Sequence, residues 1–234
     1  MNRPDGADLA DRGIRLAPDD QLPDWLAPLV SAIDGAQLPD RFRMLDGATA
    51  SADARHSAVL MLMGEGARGP DVLLTARAST LRSHPGQPAF PGGRAEPGED
   101  AVATALREAN EETGLDPSSV LPAAQLPQLY LRPSRSLVRP VLGFWHAPGP
   151  VSAVDPAETA AVARVPVADL VDPANRGRVR LRNGFAGPAF SVAGMVVWGF
   201  TAGLLDLLLD LGGWAVRWDA GRLLRLPADS GIPQ

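Results

Sequence analysis

The chain has 234 residues, 45% of them hydrophobic, and a formal net charge of -5 at pH 7. Its length suits one sizeable core and is too short for two comfortable domains, and its acidity argues against broad binding to nucleic acid or to an anionic membrane surface, because both need a field of the opposite sign. No cysteine is present, which excludes a disulfide frame, a thiolate nucleophile and a sulfur-ligated zinc.

The chain is expected to have three parts: an N-terminal arm over 1–40, one domain over 41–226 and a loose tail over 227–234. Acids and prolines interrupt every apolar run at the start of the arm, so it does not resemble a signal peptide, and we expect a cytoplasmic protein. One short amphipathic helix is predicted over 25–33, with Asp24 as its cap and Pro28 in its first turn. Its apolar face is expected to pack on the domain.

Two short apolar runs lie at 57–63 and 71–77, and a segment rich in glycine and proline separates them. Such a segment suits a hairpin loop, so the runs are predicted to be two antiparallel strands of the main sheet. Arg77 ends the second run, and Arg82 lies in the loop beyond it.

The run 100–113 contains no proline or glycine, is rich in alanine and is followed by Gly114, which predicts a helix of about four turns. On such a helix Glu108, Glu111 and Glu112 stand at i, i+3 and i+4 and project from one face. Clustered carboxylates repel one another unless a cation lies among them, and a hard divalent ion such as Mg2+ or Mn2+ is the usual compensation. The alternative interpretation is a solvated acidic face, the fate of most glutamate pairs.

Further elements are predicted downstream: strands over 126–130, 138–145 and 163–167, a turn of helix over 167–170, and a strand or hairpin over 177–190. The most apolar stretch contains Asp206 and Asp210, which would be costly in lipid, so it predicts a buried helix over 194–211 rather than a membrane span. A short extra strand is expected over 213–218.

A long spaced pattern covers the central helix and the loop before it. It reads Gly93, five residues, Glu99, seven residues, Arg107, Glu108, Ala109, one residue, Glu111, Glu112, one residue, Gly114 and Leu115. This string resembles the Nudix box, the signature of the Nudix hydrolase superfamily. The resemblance implies an α/β fold, namely a Nudix-type α/β/α sandwich with a mixed central sheet and the Nudix loop-helix-loop.

Helix geometry and this resemblance together give the acids their expected roles. Glu108 and Glu112 are expected to hold a Mg2+ or Mn2+ ion as the cofactor, and the resemblance implies that the carbonyl of Gly93 is a further ligand. Glu111 is expected to be either another metal ligand or the general base.

Three other charged residues belong to the predicted site. Glu99 is expected to act through water or to bind a second ion, and Arg107 to orient the acids through a salt bridge. Glu158 occupies a place where related enzymes often present one more acid; the alternative is a surface glutamate before a strand.

A second motif runs directly into the box. It comprises 73–78, Arg82, Gly86 and 90–93, and it resembles the motif of the coenzyme A diphosphatase branch of the superfamily, from which Pro88 departs. The resemblance implies hydrolysis of the diphosphate bond of coenzyme A or acyl-CoA to 3′,5′-ADP and (acyl-)4′-phosphopantetheine. The residues expected to bind substrate are Arg77, Arg82, Phe90 and Gly92. For the two arginines the alternative is a structural salt bridge.

Two other functions stay open. One is a Nudix hydrolase for another nucleoside diphosphate derivative, such as ADP-ribose, a dinucleotide cofactor or a dinucleoside polyphosphate. The other is a non-catalytic nucleotide-sensing module, although such modules usually lose an acid of the box and this chain retains all four. The expected partner is a small-molecule substrate, with no nucleic acid and no membrane, and a homodimer is compatible with the sequence.

Overall fold

The computed structural model describes residues 12–37, 39, 42, 54–78, 86–132, 134–181, 184 and 186–227. The chain divides into two compact units. The first unit comprises Met1–Leu62, Pro91–Asn110 and Asp116–Ala147, and the second comprises Met63–Phe90, Glu111–Leu115 and Pro148–Gln234. The domain boundaries expected from the sequence stay a prediction.

The described elements include both strands and helices, which are interspersed along the chain, and this confirms the predicted α/β class. The described strands are Ile14–Arg15 (β1), Arg55–Gly66 (β2), Gly69–Arg77 (β3), Pro88–Ala89 (β4), Gly92–Arg94 (β5), Val120–Gln125 (β6), Leu129–Leu131 (β7), Ser136–Trp145 (β8), Thr159–Pro166 (β9), Arg176–Arg180 (β10), Ala186–Val192 (β11) and Met195–Val197 (β12). The described α-helices are Ala27–Ile33 (α1), Ala101–Thr113 (α2), Val167–Val171 (α3) and Gly199–Leu211 (α4).

The first unit is built on strands β1, β6, β8 and β2, which are neighbours in that order. Strand β7 pairs with β8, and β5 pairs antiparallel with β2, with Ala58 opposite Gly93. Strands β2 and β8 are largely apolar, and Leu60, Val141 and Leu142 are fully buried. Near-continuous apolar runs of this kind are typical of strands that are covered on both faces. The pairing of β5 with β2 brings the glycines at the start of the Nudix pattern onto the sheet.

In the second unit the end of β2 pairs antiparallel with β3 through a tight connection from Gly66 to Gly69. The predicted hairpin is therefore confirmed. Strand β3 also pairs with β9 and β4, and Leu73 and Leu74 on it are buried. Pro88 lies in β4 opposite Ala76, so the residue that departs from the motif keeps its place in the sheet.

A separate three-stranded antiparallel sheet of β10, β11 and β12 lies in the second unit, where helix α4 contacts β11. Arg176 on β10 is 1% exposed, forms an ion pair with Asp206 of α4 and lies 4.6 Å from the ring centres of both Phe190 and Trp218. Helix α4 is buried along its leucines, as predicted for the apolar stretch. Within the described ranges, every helix falls short of the length and apolar character that a membrane span needs.

The central helix is confirmed: 100–113 was the predicted range, and α2 spans Ala101–Thr113. The helix predicted over 194–211 begins only at Gly199. Ala193 and Gly194 adopt φ angles of 50° and 73°, which form a tight turn, and the next residues return as strand β12. A turn of two residues with positive φ is typical of a hairpin rather than a helix start.

Three smaller predictions are wrong. The strand expected over 213–218 is absent from these described residues, because the amides of Trp214 and Ala215 donate to the carbonyl of Leu209 and close the end of α4. Helix α1 begins after Leu26 without a side-chain cap, so Asp24 does not cap it, although Pro28 does lie in the first turn. The strand expected over 126–130 is divided, with β6 ending before it and β7 starting within it.

Candidate functional site

Helix α2 carries the predicted acids, and its two ends are set by local chemistry. The carboxylate of Asp100 accepts a hydrogen bond of 2.8 Å from the amide of Ala103, which caps the first turn. Gly114 has a φ of 69°, the left-handed conformation that commonly ends a helix. Because α2 is unbroken between these ends, Glu108, Glu111 and Glu112 share one helix face, as predicted.

The carboxylate of Glu108 lies against the backbone of Gly93. A Cβ on residue 93 would lie 2.5 Å from Cδ and from both carboxylate oxygens of Glu108. A Cβ at that distance would require the carboxylate to shift, so the absence of a Cβ at Gly93 leaves the space that the carboxylate occupies. The structure thus brings together two of the groups that the sequence assigned to one metal ion.

Arg107 holds this arrangement from the side. Its Nε donates to Oε1 of Glu99 at 2.8 Å, and its Nη2 lies 3.1 Å from both Oε2 of Glu99 and Oε1 of Glu108. The same Nη2 donates to the main-chain oxygen of Arg94 at 2.9 Å. Arg107 therefore forms salt bridges with two acids of the pattern, and its expected role in catalysis stays a prediction.

The carboxylate of Glu99 accepts hydrogen bonds from several donors. Besides Arg107, its Oε2 accepts hydrogen bonds from the amide of Glu96 at 2.9 Å and from the hydroxyl of Thr104 at 3.1 Å. Hydrogen bonds from Arg107, then from the Glu96 amide, lower the pKa of Glu99 to about 2, so the carboxylate is ionised across the neutral range. A side chain so fully engaged is well suited to orient its neighbours, and its expected part in binding a second ion stays a prediction.

The remaining acids of the helix face are less enclosed. Glu111 is exposed and Glu112 is half-buried, with the main-chain oxygen of Glu112 accepting a hydrogen bond from Val154. Among the described residues, no three His, Asp or Glu side chains lie close enough together to hold a metal ion. Like charges on one helix face repel each other when no cation lies among them. To share a divalent ion with Glu108, the side chains of Glu111 and Glu112 would have to turn toward it. The oxygen donors of Gly93 and Glu108 fit such a hard cation.

Gly92, a predicted substrate-binding residue, has a structural reason to be glycine. A Cβ there would overlap the carbonyl oxygen of Ala58 and the backbone of Val59 on strand β2. Gly92 therefore lets β5 approach β2 closely, and a contact with substrate stays a prediction.

Two other predicted substrate-binding residues, Arg77 and Phe90, belong to the second unit. Arg77 ends β3 beside a register shift against β9, and its Nε is buried with no hydrogen-bond partner in the described part of the chain. Phe90 is buried. Glu158, the possible further acid of the site, has an exposed side chain in the turn before β9, and its main-chain oxygen accepts a hydrogen bond from the amide of Ala78. Arg82 lies outside the described residues.

A polar cavity of about 190 Å3 borders the same network in the first unit, and sequence reasoning missed it. Its lining includes His56, Glu99, Thr104, Gln128 and Arg139. Arg139 is 8% exposed and donates from Nη1 to the carbonyl of Leu126 at 2.8 Å. An arginine within the apolar strand β8, and a threonine inside an alanine-rich helix, were the two signals in the sequence that could have indicated buried polar partners.

The part of the chain that contains this site matches known proteins. The family model described as NUDIX domain matches residues 54–184. The chain is 31% identical over 159 residues to a probable nudix hydrolase of Schizosaccharomyces pombe, covering 67% of this chain and 55% of that protein. It is 42% identical over 118 residues to the uncharacterized Nudix hydrolase NudL of Photorhabdus laumondii, covering 50% of this chain and 62% of that protein. The chain thus spans somewhat more than half the length of these relatives.

A third relative has a stated substrate. The chain is 34% identical over 178 residues to a mitochondrial coenzyme A diphosphatase of Homo sapiens, covering 72% of this chain and 75% of that protein. This alignment is longer than the match to the family model, so the likeness extends beyond the part of the chain that defines the family.

Proposed function

The chain belongs to the Nudix family, and from this premise we propose that it is a divalent-metal-dependent diphosphatase of coenzyme A or acyl-CoA. The products would be 3′,5′-ADP and 4′-phosphopantetheine or its acyl form. The observation that carries the proposal is the carboxylate of Glu108 seated on the backbone of Gly93 and held there by Arg107. This arrangement offers oxygen ligands in a fixed position, which catalysis on a charged diphosphate requires.

Each residue of the helix face has a proposed task. Glu108, Glu112 and the carbonyl of Gly93 would hold a Mg2+ or Mn2+ ion, which supplies positive charge for the phosphate oxygens and acidity for a water molecule. Glu111, which is exposed on the same helix face, would accept a proton from the attacking water or serve as a further ligand. Arg107 keeps Glu108 from turning into solvent, since it donates to that carboxylate at 3.1 Å.

The choice of coenzyme A rests on two supports. The motif from residue 73 to Gly93 resembles the coenzyme A diphosphatase branch, and the human relative that covers 72% of this chain is a coenzyme A diphosphatase by name. Coenzyme A carries a 3′-phosphate in addition to its diphosphate, and a chain of net charge -5 needs local cations to bind it. We assign this task to Arg77 and Arg82.

Arg77 has a property that suits phosphate binding. Its buried Nε has no hydrogen-bond partner among the described residues, and an unsatisfied buried donor is unfavourable by about 1–3 kcal/mol. A phosphate oxygen would satisfy that donor through a charge-assisted hydrogen bond.

The experiment is a substrate panel. Purified protein is incubated with Mg2+ or Mn2+ and coenzyme A, an acyl-CoA, 3′-dephospho-coenzyme A, ADP-ribose, a dinucleotide cofactor or a dinucleoside polyphosphate, and the products are separated by chromatography. We expect coenzyme A or its thioester to give 3′,5′-ADP with the highest kcat/KM. Preferred cleavage of another compound would assign a different Nudix substrate, and binding without cleavage of any compound would assign a nucleotide-sensing module.

A further inference from the structure

Thr104 occupies one of the unspecified positions between Glu99 and Arg107 in the Nudix pattern. It is fully buried in helix α2, and its hydroxyl oxygen lies 3.1 Å from Oε2 of Glu99 and 2.8 Å from the main-chain oxygen of Asp100. A threonine inside a helix commonly donates to the carbonyl four residues earlier, as the Asp100 contact shows. The hydroxyl has a single proton, which is shared between this carbonyl and the ionised carboxylate of Glu99, so the threonine connects the helix interior to the network of charges.

Glu99 is the hub of that network. Its Oε1 accepts one hydrogen bond, from Nε of Arg107, while its Oε2 accepts from Arg107, from the amide of Glu96 and from Thr104. The amide and the hydroxyl are the donors that do not belong to Arg107. They therefore fix the carboxylate independently of the arginine that it must hold.

The position of Glu99 decides how Arg107 is shared. The Nη2 group has two protons and lies within hydrogen-bond distance of at least three acceptors in the described part of the chain, namely Oε2 of Glu99, Oε1 of Glu108 and the carbonyl of Arg94. If Glu99 moves away, the guanidinium can follow it or swing fully onto Glu108. Either movement changes the charge and the orientation of the carboxylate that lies on Gly93.

A cavity beside Glu99 provides space for a second orientation of its side chain. Glu99 and Thr104 line the cavity of about 190 Å3, and Arg139 lines it as well. A carboxylate that is released from Thr104 has room to turn into this space. The Thr104 hydroxyl, fixed by the helix, opposes that turn.

We propose that Thr104 is a positioning residue, which selects the orientation of Glu99 that pairs with Arg107 and thereby keeps Glu108 seated on the backbone of Gly93. The inference deepens the proposed function, because it takes Glu108 as a ligand of the divalent ion. It assigns to the threonine an effect on metal affinity that acts through two intervening side chains.

The first test measures the network without metal or substrate. Thr104→Val replaces the hydroxyl by a methyl group of similar volume, Thr104→Ser restores the hydroxyl, and Ala103→Val places the same valine at the exposed neighbouring position. Hydrogen exchange at the Nε–H of Arg107 is followed by NMR. We expect faster exchange in Thr104→Val, and exchange at the wild-type rate in Thr104→Ser and Ala103→Val.

The second test measures Mn2+ binding by calorimetry on the same proteins without substrate. We expect Thr104→Val to weaken Mn2+ by about tenfold, the usual lower limit for losing a partner behind the metal ligands, and Thr104→Ser to restore the affinity. Circular dichroism and thermal unfolding establish that each variant is folded, and Thr104→Ala replaces Thr104→Val if the valine does not fold.

The inference is overturned if both the exchange of Arg107 and the Mn2+ affinity of the hydroxyl-free variant equal those of wild type. Failure of the proposed function has a different signature. In that case the wild-type protein cleaves neither coenzyme A nor its thioester, whereas the exchange rate of Arg107 still reports whether Thr104 fixes the network.

Discussion

The carboxylate of Glu108 takes the place where the side chain of any residue other than glycine at position 93 would begin. The pairing of β5 with β2 fixes the backbone of Gly93, and helix α2 fixes the backbone of Glu108, so a Cβ at residue 93 can be accommodated only if the carboxylate of Glu108 leaves this position. This relationship makes the glycine a requirement of the charge arrangement and not only of the local turn.

Gly93→Ala should therefore impair metal binding. Its Cβ would lie 2.5 Å from the carboxylate of Glu108 and would force it away, and we expect Mn2+ affinity and kcat/KM to fall by at least tenfold. Gly149→Ala is the matched control, since no atom lies within 4 Å of a Cβ there. Calorimetry with Mn2+ and steady-state kinetics measure both effects, and a Gly93→Ala protein with wild-type affinity would contradict a metal site at this glycine.

Glu111→Gln and Glu112→Gln should each lower turnover by about two to four orders of magnitude, because an amide neither accepts a proton from water nor neutralises a divalent ion. Both positions are at least partly exposed on α2, so the fold should persist, as circular dichroism would verify. Glu65→Gln, at an exposed position of the β2–β3 hairpin, is the control. Unchanged turnover in both variants would refute a metal site on this helix face.

The helix and its acidic face could be predicted from the sequence because their determinants are local. Glu108, Glu111 and Glu112 lie within five consecutive residues, and Asp100 and Gly114 mark the ends of the helix. Helical periodicity converts such spacing directly into a shared face. The antiparallel hairpin of β2 and β3 was predictable for the same reason, since its turn lies between its strands.

The contacts that these acids make with other elements could not be predicted, because they depend on how distant segments of the chain pack together. The seat of Glu108 on Gly93 requires the pairing of β5 with β2, and the cavity beside Glu99 is lined by Arg139 from strand β8. No local pattern specifies which strands become neighbours. The prediction of a helix start at residue 194 was wrong for a different, local reason. The composition indicates a helix, but the turn at Ala193 directs the next residues into strand β12.

Glu99 should contribute a pH dependence to stability. Its pKa is lowered from 4.5 to about 2 in the folded protein, chiefly by the hydrogen bond from Arg107. Because folding lowers this pKa, the ionised carboxylate stabilises the fold above about pH 4.5, and the contribution is lost as the pH falls toward 2. In Glu99→Gln we expect the free energy of unfolding to fall less steeply across this interval than in wild type.

Urea unfolding at a series of pH values tests that slope. Glu96→Gln removes an exposed carboxylate from the same loop and should leave the slope close to that of wild type. Equal slopes in Glu99→Gln and wild type would show that Glu99 is not held by Arg107 in solution.

Arg82→Ala should distinguish the 3′-phosphate from the rest of the substrate. If Arg82 binds that phosphate, the variant should lose about tenfold in kcat/KM for coenzyme A and little for 3′-dephospho-coenzyme A, because only the first compound offers the anion. The measurement compares both substrates in both proteins. Equal losses on the two substrates would show that Arg82 does not recognise the 3′-phosphate.

Arg77→Met should separate a phosphate contact from a structural salt bridge. Methionine keeps much of the apolar stem but removes a buried Nε that has no hydrogen-bond partner in the described chain. The stability of the protein should therefore be unchanged or higher. If Arg77 binds a phosphate, the KM for coenzyme A should rise by about tenfold. Arg164→Met is the contrasting control, because Arg164 is paired with the buried Asp71 at 2.8 Å and its loss should lower the melting temperature. A loss of stability in Arg77→Met that matches Arg164→Met, with KM unchanged, would assign Arg77 to structure.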